Sequence, residues 1–388
     1  MPTPTGFEGI IAPEMATGRV LVTGGAGFIG SHLVDRLLSS GYAVRVLDAL
    51  LPQVHPSGPP SYLNSEAELR VADVRDRDAV ASALKDVDVL VHFAAAVGVG
   101  QSMYEVVHYT SVNALGTAQL LEAMIRGPRP RRIIVASSMS LYGEGLSACE
   151  ACGPQAPSIR PVDQLARHEW DPRCPGCGRV VTPLPTPETK PIFPTSIYAI
   201  GKRDQEEMVL VTARILDLPA VALRFFNVYG DRQALSNPYT GVAAIFSSAL
   251  LNRRAPLIFE DGRQSRDFVH VSDIAEACRL AIEREEVRDE ILNVGTGVAT
   301  NLLTLLELLQ REIPGARDIA PQVLGRFREG DIRSCYADIS KARTRLGYAP
   351  KVKLEDGVRG LAAWVASQTA ESLSADALRE LQAHGLIR

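Results

Sequence analysis

Tyr198 and Lys202 stand four positions apart in Ser196-Ile-Tyr198-Ala-Ile-Gly-Lys202. On a helix that spacing puts a phenol and an ammonium on one face. A cation beside a phenol favours the phenolate: lowering a tyrosine pKa from about 10 by roughly three units needs on the order of 4 kcal/mol of differential stabilisation. Such a phenolate is a general base near neutral pH. Ser138, in Val135-Ala-Ser-Ser138-Met-Ser-Leu-Tyr-Gly143, follows an apolar run that reads as a strand. Its hydroxyl is expected at the carboxyl edge of a sheet, within reach of a reacting oxygen; the plain alternative is a cap or turn serine.

A second group of residues is suited to an anionic cofactor. Gly24, Gly27 and Gly30 lie in Thr23-Gly-Gly-Ala-Gly-Phe-Ile-Gly30, where Val20-Leu21-Val22 ends and a helix with apolar Ile29, Leu33, Leu37 and Leu38 begins. Glycines there permit a tight turn, close approach of backbone to a pyrophosphate and close packing of helix on strand, while the helix amino terminus favours negative charge. Phe28 and Ile29 open that helix and complete the loop. Asp48 ends the second strand 18 positions beyond Gly30, the place for a carboxylate on the adenosine ribose. It repels a 2′-phosphate, so NAD is expected as cofactor; Arg45 nearby leaves NADP open. Asp73-Val74, after a third strand, is expected near the adenine, with a solvated loop aspartate as the alternative.

A third group is Cys149-Glu-Ala-Cys152-Gly and Cys174-Pro-Gly-Cys177-Gly, two knuckles with 21 residues between them, close to the spacing of four-cysteine zinc ribbons. The glycine after each pair eases the turn. Four protein thiolates leave no open coordination position, so zinc there would be structural; unbound or redox-labile pairs are the alternative.

These groups need a scaffold. Apolar strands at Ala43 to Leu47, Val89 to Phe93, Ile133 to Ala136 and Val221 to Phe225 alternate with helical stretches, which implies an α/β fold with a doubly wound parallel Rossmann sheet. The order expected is a flexible leader over 1–17, then a cofactor-binding Rossmann domain over 18–224. That domain contains a Pro-, Gly- and Cys-rich insertion over 149–194. A mainly substrate-binding, smaller mixed α/β part spans 225–388, with some segments returning to the sheet. Residues Asn301 to Glu312 carry a leucine stripe at helical spacing. A formal net charge of -4 argues against nucleic acid as partner. The longest apolar run near the start, Phe93 to Gly100, is far short of the roughly 20 residues of a spanning helix. No secretory signal precedes the first strand and six cysteines are too few for a disulfide scaffold, so a cytoplasmic setting is expected.

The sequence from Val20 to about Tyr348 resembles the extended short-chain dehydrogenase/reductases, specifically the NAD-dependent nucleotide-sugar epimerase and dehydratase family. The resemblance rests on the glycine turn, Asp73-Val74, His92-Phe-Ala-Ala95, Asn113 in Ser-Val-Asn-Ala-Leu-Gly-Thr117, Ser138, Tyr198 with Lys202, and Arg224-Phe-Phe-Asn227-Val-Tyr-Gly230. It continues through Asp261-Gly-Arg-Gln-Ser-Arg266-Asp-Phe-Val-His-Val-Ser-Asp273 and Arg328-Glu-Gly-Asp331. It implies cofactor contacts from Ala94, Asn113, Tyr198 and Lys202 beside the glycine loop, and Ser138, Tyr198 and Lys202 as the catalytic set. It also implies that Asn227, Arg266 and Arg328 hold the diphosphate of a sugar nucleotide, with Asp331 near its ribose and Val99 near the sugar. Homodimers form in the family through helices similar to those expected at Val112 to Ile125 and Ile197 to Leu216, although buried core helices would read identically.

The family's 4,6-dehydratases carry an Asp-Glu pair directly after the catalytic hydroxyl residue, and related decarboxylases a Glu at the second of those positions. Met139 and Ser140 stand there in this chain. Epimerisation at C4 through a transient 4-keto sugar needs only hydride transfer and one base, and is what the resemblance leaves. Uronate epimerases commonly carry Arg at what looks like Gly100; with Val97 and Val99 beside it, a sugar without a C6 carboxylate is expected. This stretch, with the cysteine insertion, is similar to the dTDP-L-rhamnose 4-epimerases. A UDP-hexose 4-epimerase, a 4-keto-sugar nucleotide reductase and, remotely, a non-catalytic NAD-sensing scaffold are the alternatives.

Overall fold

The computed structural model describes residues 18–237, 239, 241–368 and 374–387; the expected leader lies outside them. Strands β1 (Arg19–Thr23), β2 (Ala43–Asp48), β3 (Glu68–Val71), β4 (Val89–His92), β5 (Arg132–Ser138), β6 (Ala220–Phe225) and β7 (Glu290–Val294) form one parallel sheet in the order β7-β6-β5-β4-β1-β2-β3. The five apolar runs named above are among them. The edge strand β7 begins with Glu290 and has too little apolar character to stand out, yet it brings chain from beyond residue 225 back into the sheet.

Because successive strand residues face opposite ways, each strand serves two cores. Val20, Val22, Val91, Ile134 and Leu223 face helices α1 (Phe28–Ser39) and, later in the chain, Val271–Glu283. Leu21, Leu90, Val135 and Ala222 face α2 (Arg77–Ala83), α3 (Gly116–Arg126) and α4 (Ile197–Ile215). Asp76 caps α2 by accepting from the amides of Asp78 and Ala79, and Ser196 caps α4 by accepting from Ala199 N. Three helices beyond the sheet, α5 (Val242–Leu251), α6 (Leu302–Glu312) and α7 (Leu354–Ala366), enclose a separate core around Tyr229, Phe246, Leu305 and Leu361.

The helix expected at Val112 to Ile125 is interrupted. A short helix (Val106–Thr110) passes through a π turn, Ser111–Leu115, before α3 begins. The extra residue in that turn directs Asn113 inward, and wide turns of this kind are frequent at functional sites. Within the insertion, Ser147–Cys149 pairs antiparallel with both Gly153–Gln155 and Thr182–Pro183. No helix among the described residues is long and apolar enough to cross a membrane.

Strand order reverses between β1 and β4, and the crevice this opens is where α/β sheets bind ligands. Its floor is a buried polar chain. His92 lies 2.8 Å from Thr23 Oγ1 through Nδ1 and 2.9 Å from Thr117 Oγ1 through Nε2. Burial holds the imidazole neutral, with its pKa lowered to about 3. Between pH 6.5 and 3 the unfolded chain therefore binds a proton there that the folded protein refuses, and stability is lost as pH falls. Denaturant titrations at pH 7 and pH 4 should show a drop smaller by a few kcal/mol in His92→Asn than in the parent protein.

Candidate active site

A cavity of about 670 Å³ runs along the carboxyl edge of the sheet, from the glycine loop to the base of the insertion. At one end Gly24 has a φ of +72°, and a Cβ on it would sit 2.9 Å from Ala94 N. A side chain at Gly30 would collide with Gly24 O, so this residue lets α1 start directly against the turn. Asp48 Oδ2 accepts from Ala26 N (3.0 Å) and Oδ1 from Leu50 N (2.9 Å), tying the loop to the end of β2. Arg45 is buried on a different course: its guanidinium pairs with Glu68 (2.8 Å) and donates to Ala83 O and Lys85 O. It does not line the cavity, which removes the reason for admitting a 2′-phosphate. Asp73 is half-buried and held below the usual carboxylate range by hydrogen bonds from Arg75, their ion pair measuring 2.7 Å.

Lys202 is buried in α4, and its Nζ donates to Ala136 O (3.0 Å) and Gln205 Oε1 (2.9 Å). Desolvation lowers its pKa to about 7. The Gln205 amide in turn donates to Ala94 O (3.1 Å) and Thr117 Oγ1 (3.0 Å), and its nitrogen lies 3.1 Å from His92 Nε2. Tyr198 lines the cavity one turn before Lys202. Burial raises its pKa, and the neighbouring Ser138 hydroxyl offsets part of the rise. The cation is thus aimed at the strand carbonyl and Gln205, and Ser138 is the group that acts on the phenol. Ser138 accepts from Ser140 N (3.1 Å) as the cap of the turn Met139–Tyr142, and it also lines the cavity.

At the other end, Asp331 bridges two arginines, 2.8 Å from Arg328 and 3.4 Å from Arg266. Burial would raise its pKa, but Arg328, Arg266 and Arg160 prevail and lower it. Arg328 stacks on Phe259, 4.7 Å from the ring centre. Asn227 Oδ1 is buried without a hydrogen-bond partner, at the cavity wall. An unpartnered buried amide beside a pair of arginines is a place prepared for a polar ligand.

Gly24, Gly27, Phe28, Ile29, Gly30, Asp48, Asp73, Val74, Ala94, Val99, Ser138, Tyr198, Lys202, Asn227, Arg266, Arg328 and Asp331 all line this one cavity. Asn113 lies behind the wall instead. It accepts from Ala96 N (2.7 Å) and donates to Ala96 O (3.1 Å), fixing the loop that carries Ala94 and Val99. Sequence reasoning missed Gln205, whose only local signal is its place three residues after Lys202 on the same helix. It also missed Leu381, which reaches the cavity from the last helix and has no local signal.

Residues 20–161 match the NAD dependent epimerase/dehydratase family and residues 178–361 match GDP-mannose 4,6 dehydratase. The dTDP-L-rhamnose 4-epimerase of Burkholderia thailandensis is 36% identical over 354 residues, covering 90% of this chain and 95% of that protein. The chain belongs to the NAD dependent epimerase/dehydratase family. Among solved structures, UDP-glucose 4-epimerase from Thermotoga maritima with UDP-glucose superposes with a TM-score of 0.72 at 32% identity, covering 89% of this chain and 98% of that one. The Thermus thermophilus UDP-glucose 4-epimerase complex with NAD gives 0.69 at 29% identity, covering 90% and 100%. The protein is an enzyme of the epimerase family, and NAD is its cofactor. The glycine cradle, with no space for a Cβ at Gly24 or Gly30, fits that cofactor. The GDP-mannose 4,6 dehydratase match begins after Met139 and Ser140, the positions where the dehydratase acid pair would stand.

Asp48→Ala removes the acceptor for two loop amides, and NAD affinity should fall at least tenfold, about 1.4 kcal/mol. Titration calorimetry on the cofactor-stripped protein measures it, and cofactor content per chain after purification should fall in parallel.

Proposed function

We propose that this enzyme inverts C4 of a sugar nucleotide through a transient 4-keto sugar, and that its substrate is dTDP-L-rhamnose, giving dTDP-6-deoxy-L-talose. The observation that carries the reading is one cavity with a phenol, a serine hydroxyl and a buried amine at its middle, and no acid pair after Ser138. Gly24, Gly27, Gly30 and Asp48 would hold NAD on one side, with Asp73, Val74 and Ala94 along its wall. When bound, NAD supplies a reversible hydride acceptor for C4. Tyr198 takes the proton from the C4 hydroxyl and later returns it, Ser138 hydrogen-bonds the same oxygen, and Lys202 holds positive charge near the phenolate. Arg266, Arg328 and Asn227 would grip the diphosphate, with Asp331 orienting the arginines and meeting the ribose.

The cavity lining includes the apolar side chains of Val97, Val99, Met103 and Leu381. A Cβ on Gly100 would lie 3.2 Å from Leu381 Cδ2, so the arginine of a uronate epimerase would have to displace that side chain. An apolar wall favours a C6 methyl over a hydroxymethyl or carboxylate. UDP-glucose is the second reading, favoured by the bound sugar nucleotide of the Thermotoga relative.

Residues 18–224 are assigned mainly to the cofactor and 225–388 mainly to substrate. Leu115, Ile125, Ile200, Val211 and Ile215 are exposed on the two helical stretches expected to pair, and support a homodimer. The four cysteines support a structural zinc, in keeping with a cytoplasmic enzyme.

Incubation with dTDP-L-rhamnose and no added reductant should yield its C4 epimer, read by proton NMR. Turnover of UDP-glucose alone moves the assignment to the second reading, and dependence on added NADH contradicts an epimerase. Tyr198→Phe should lower kcat by at least about 10³-fold while sugar-nucleotide binding, followed by calorimetry, stays within a few-fold.

A further inference from the structure

The insertion does more than decorate the sheet edge. The four sulfurs of Cys149, Cys152, Cys174 and Cys177 all lie within 4.8 Å of one another, and Cys149 Sγ is 3.5 Å from Cys177 Sγ. None is in a disulfide. A tetrahedral zinc with sulfurs at about 2.3 Å sets them about 3.8 Å apart, so the observed cluster is already of the right size. The two knuckles are alike in backbone: Gly153 and Gly178 both have a φ of +73°, in the region open to glycine. Beyond the cysteines the insertion has almost no core, only Val181 joining Cys149 and Cys174 in a buried cluster. A segment so poor in apolar contacts depends on a staple.

What the staple holds is specific. Cys152 and Cys174 bracket residues 153–173, and within that stretch lie side chains that contact the segment carrying Phe327, Asp331 and Arg333 at the substrate end. Arg160 is buried, with Nε 3.1 Å from Glu144 and a terminal nitrogen 2.8 Å from Glu260. These two are ion pairs without hydrogen-bond alignment. The same guanidinium donates to Trp170 O and to Asp331 O, both at 2.8 Å. Asp171 pairs with Arg333 (2.9 Å), and Trp170 packs on Phe327 with ring centres 6.4 Å apart. The insertion thus grips the backbone of the segment that carries Arg328 and Asp331, and the Asp331 carboxylate orients Arg328 and Arg266. Among the described residues, no backbone hydrogen bond joins the insertion to the glycine loop.

We infer that the zinc-stapled insertion is a positioning module for the diphosphate-binding wall: metal binding closes the 153–173 loop, and Arg160, Trp170 and Asp171 transmit that closure to Asp331 and its two arginines. The inference rests on the reading of the four cysteines as a zinc site and on the arginines as diphosphate ligands, and is independent of which sugar turns over. Arg160, Trp170 and Asp171 are positioning residues that act through Asp331 and Arg333.

The test uses NAD-loaded enzyme with dTDP and UDP as probes, so that it does not depend on the epimerase assignment. Elemental analysis should give one zinc per chain. Releasing the zinc with a mercurial thiol reagent, followed by thiol recovery under chelation, should weaken binding of the tighter nucleotide at least tenfold. Bound NAD should stay within twofold, and added zinc should restore nucleotide affinity. Asp171→Asn, whose side chain is exposed and is not one of the four sulfur donors, should weaken the same nucleotide several-fold in zinc-loaded protein with NAD unchanged and the zinc content still one per chain. Protein that contains no zinc and takes none up overturns the inference. So does unchanged nucleotide affinity after zinc release, or a parallel loss of NAD, which would mark the zinc as a general fold staple.

Discussion

The site depends on one buried contact, the Lys202 ammonium held between the Ala136 carbonyl at the end of β5 and the Gln205 side chain one turn along α4. A desolvated amine is costly unless its hydrogens are used, and two are used here. Gln205 passes the constraint to His92, Thr117 and Ala94, so the ends of β4 and β5 and helices α3 and α4 are registered on one polar chain. Tyr198, on the same helix, inherits its place from that chain. So does the loop that begins at Ala94, which Asn113 fixes at its other end through Ala96.

The two ends of the cavity are built by different physics. The cofactor end is steric and made of backbone: Gly24 and Gly30 are small because neighbouring main chain leaves no space, and the Asp48 carboxylate ties the loop. The substrate end is electrostatic, a chain of arginines and carboxylates running from Arg160 through Asp331 to Arg266 and Arg328. Ion pairs as buried as Arg160 with Glu144 and Glu260 contribute little net stability, and their worth lies in geometry. A rigid cofactor end and a wall whose shape is set by side-chain charge suit an enzyme that retains its cofactor and exchanges its substrate.

Much of this was legible in the sequence because the physics is local. Glycines forced by a tight turn, apolar runs of strands buried on both faces, and a tyrosine and lysine one helical turn apart all leave marks within a few residues. The knuckles were legible for the same reason, each glycine following its cysteine pair. Other features leave no such mark. Gln205 looks like an ordinary polar helix residue until His92 and Ala94 are folded against it. β7 is an edge strand that starts on a charged residue, and Leu381 meets Gly100 only through the fold. The π turn at Ser111–Leu115 is invisible to periodicity, since it shifts the helical register by one residue while the apolar pattern continues on either side. Spacing puts Lys202 on one helix face with Tyr198, but its contacts with Ala136 and Gln205 are not revealed by spacing alone.

The central claim is that C4 loses and regains the same hydrogen inside this cavity while Tyr198 moves only the hydroxyl proton. A sugar nucleotide that the enzyme turns over, labelled with deuterium at C4 and incubated in ordinary water, tests it most directly. The account expects the inverted product to keep the deuterium at C4, read by NMR and mass spectrometry. Loss of the label to solvent would mean that C4 is deprotonated rather than oxidised, and would contradict the assignment of the cavity.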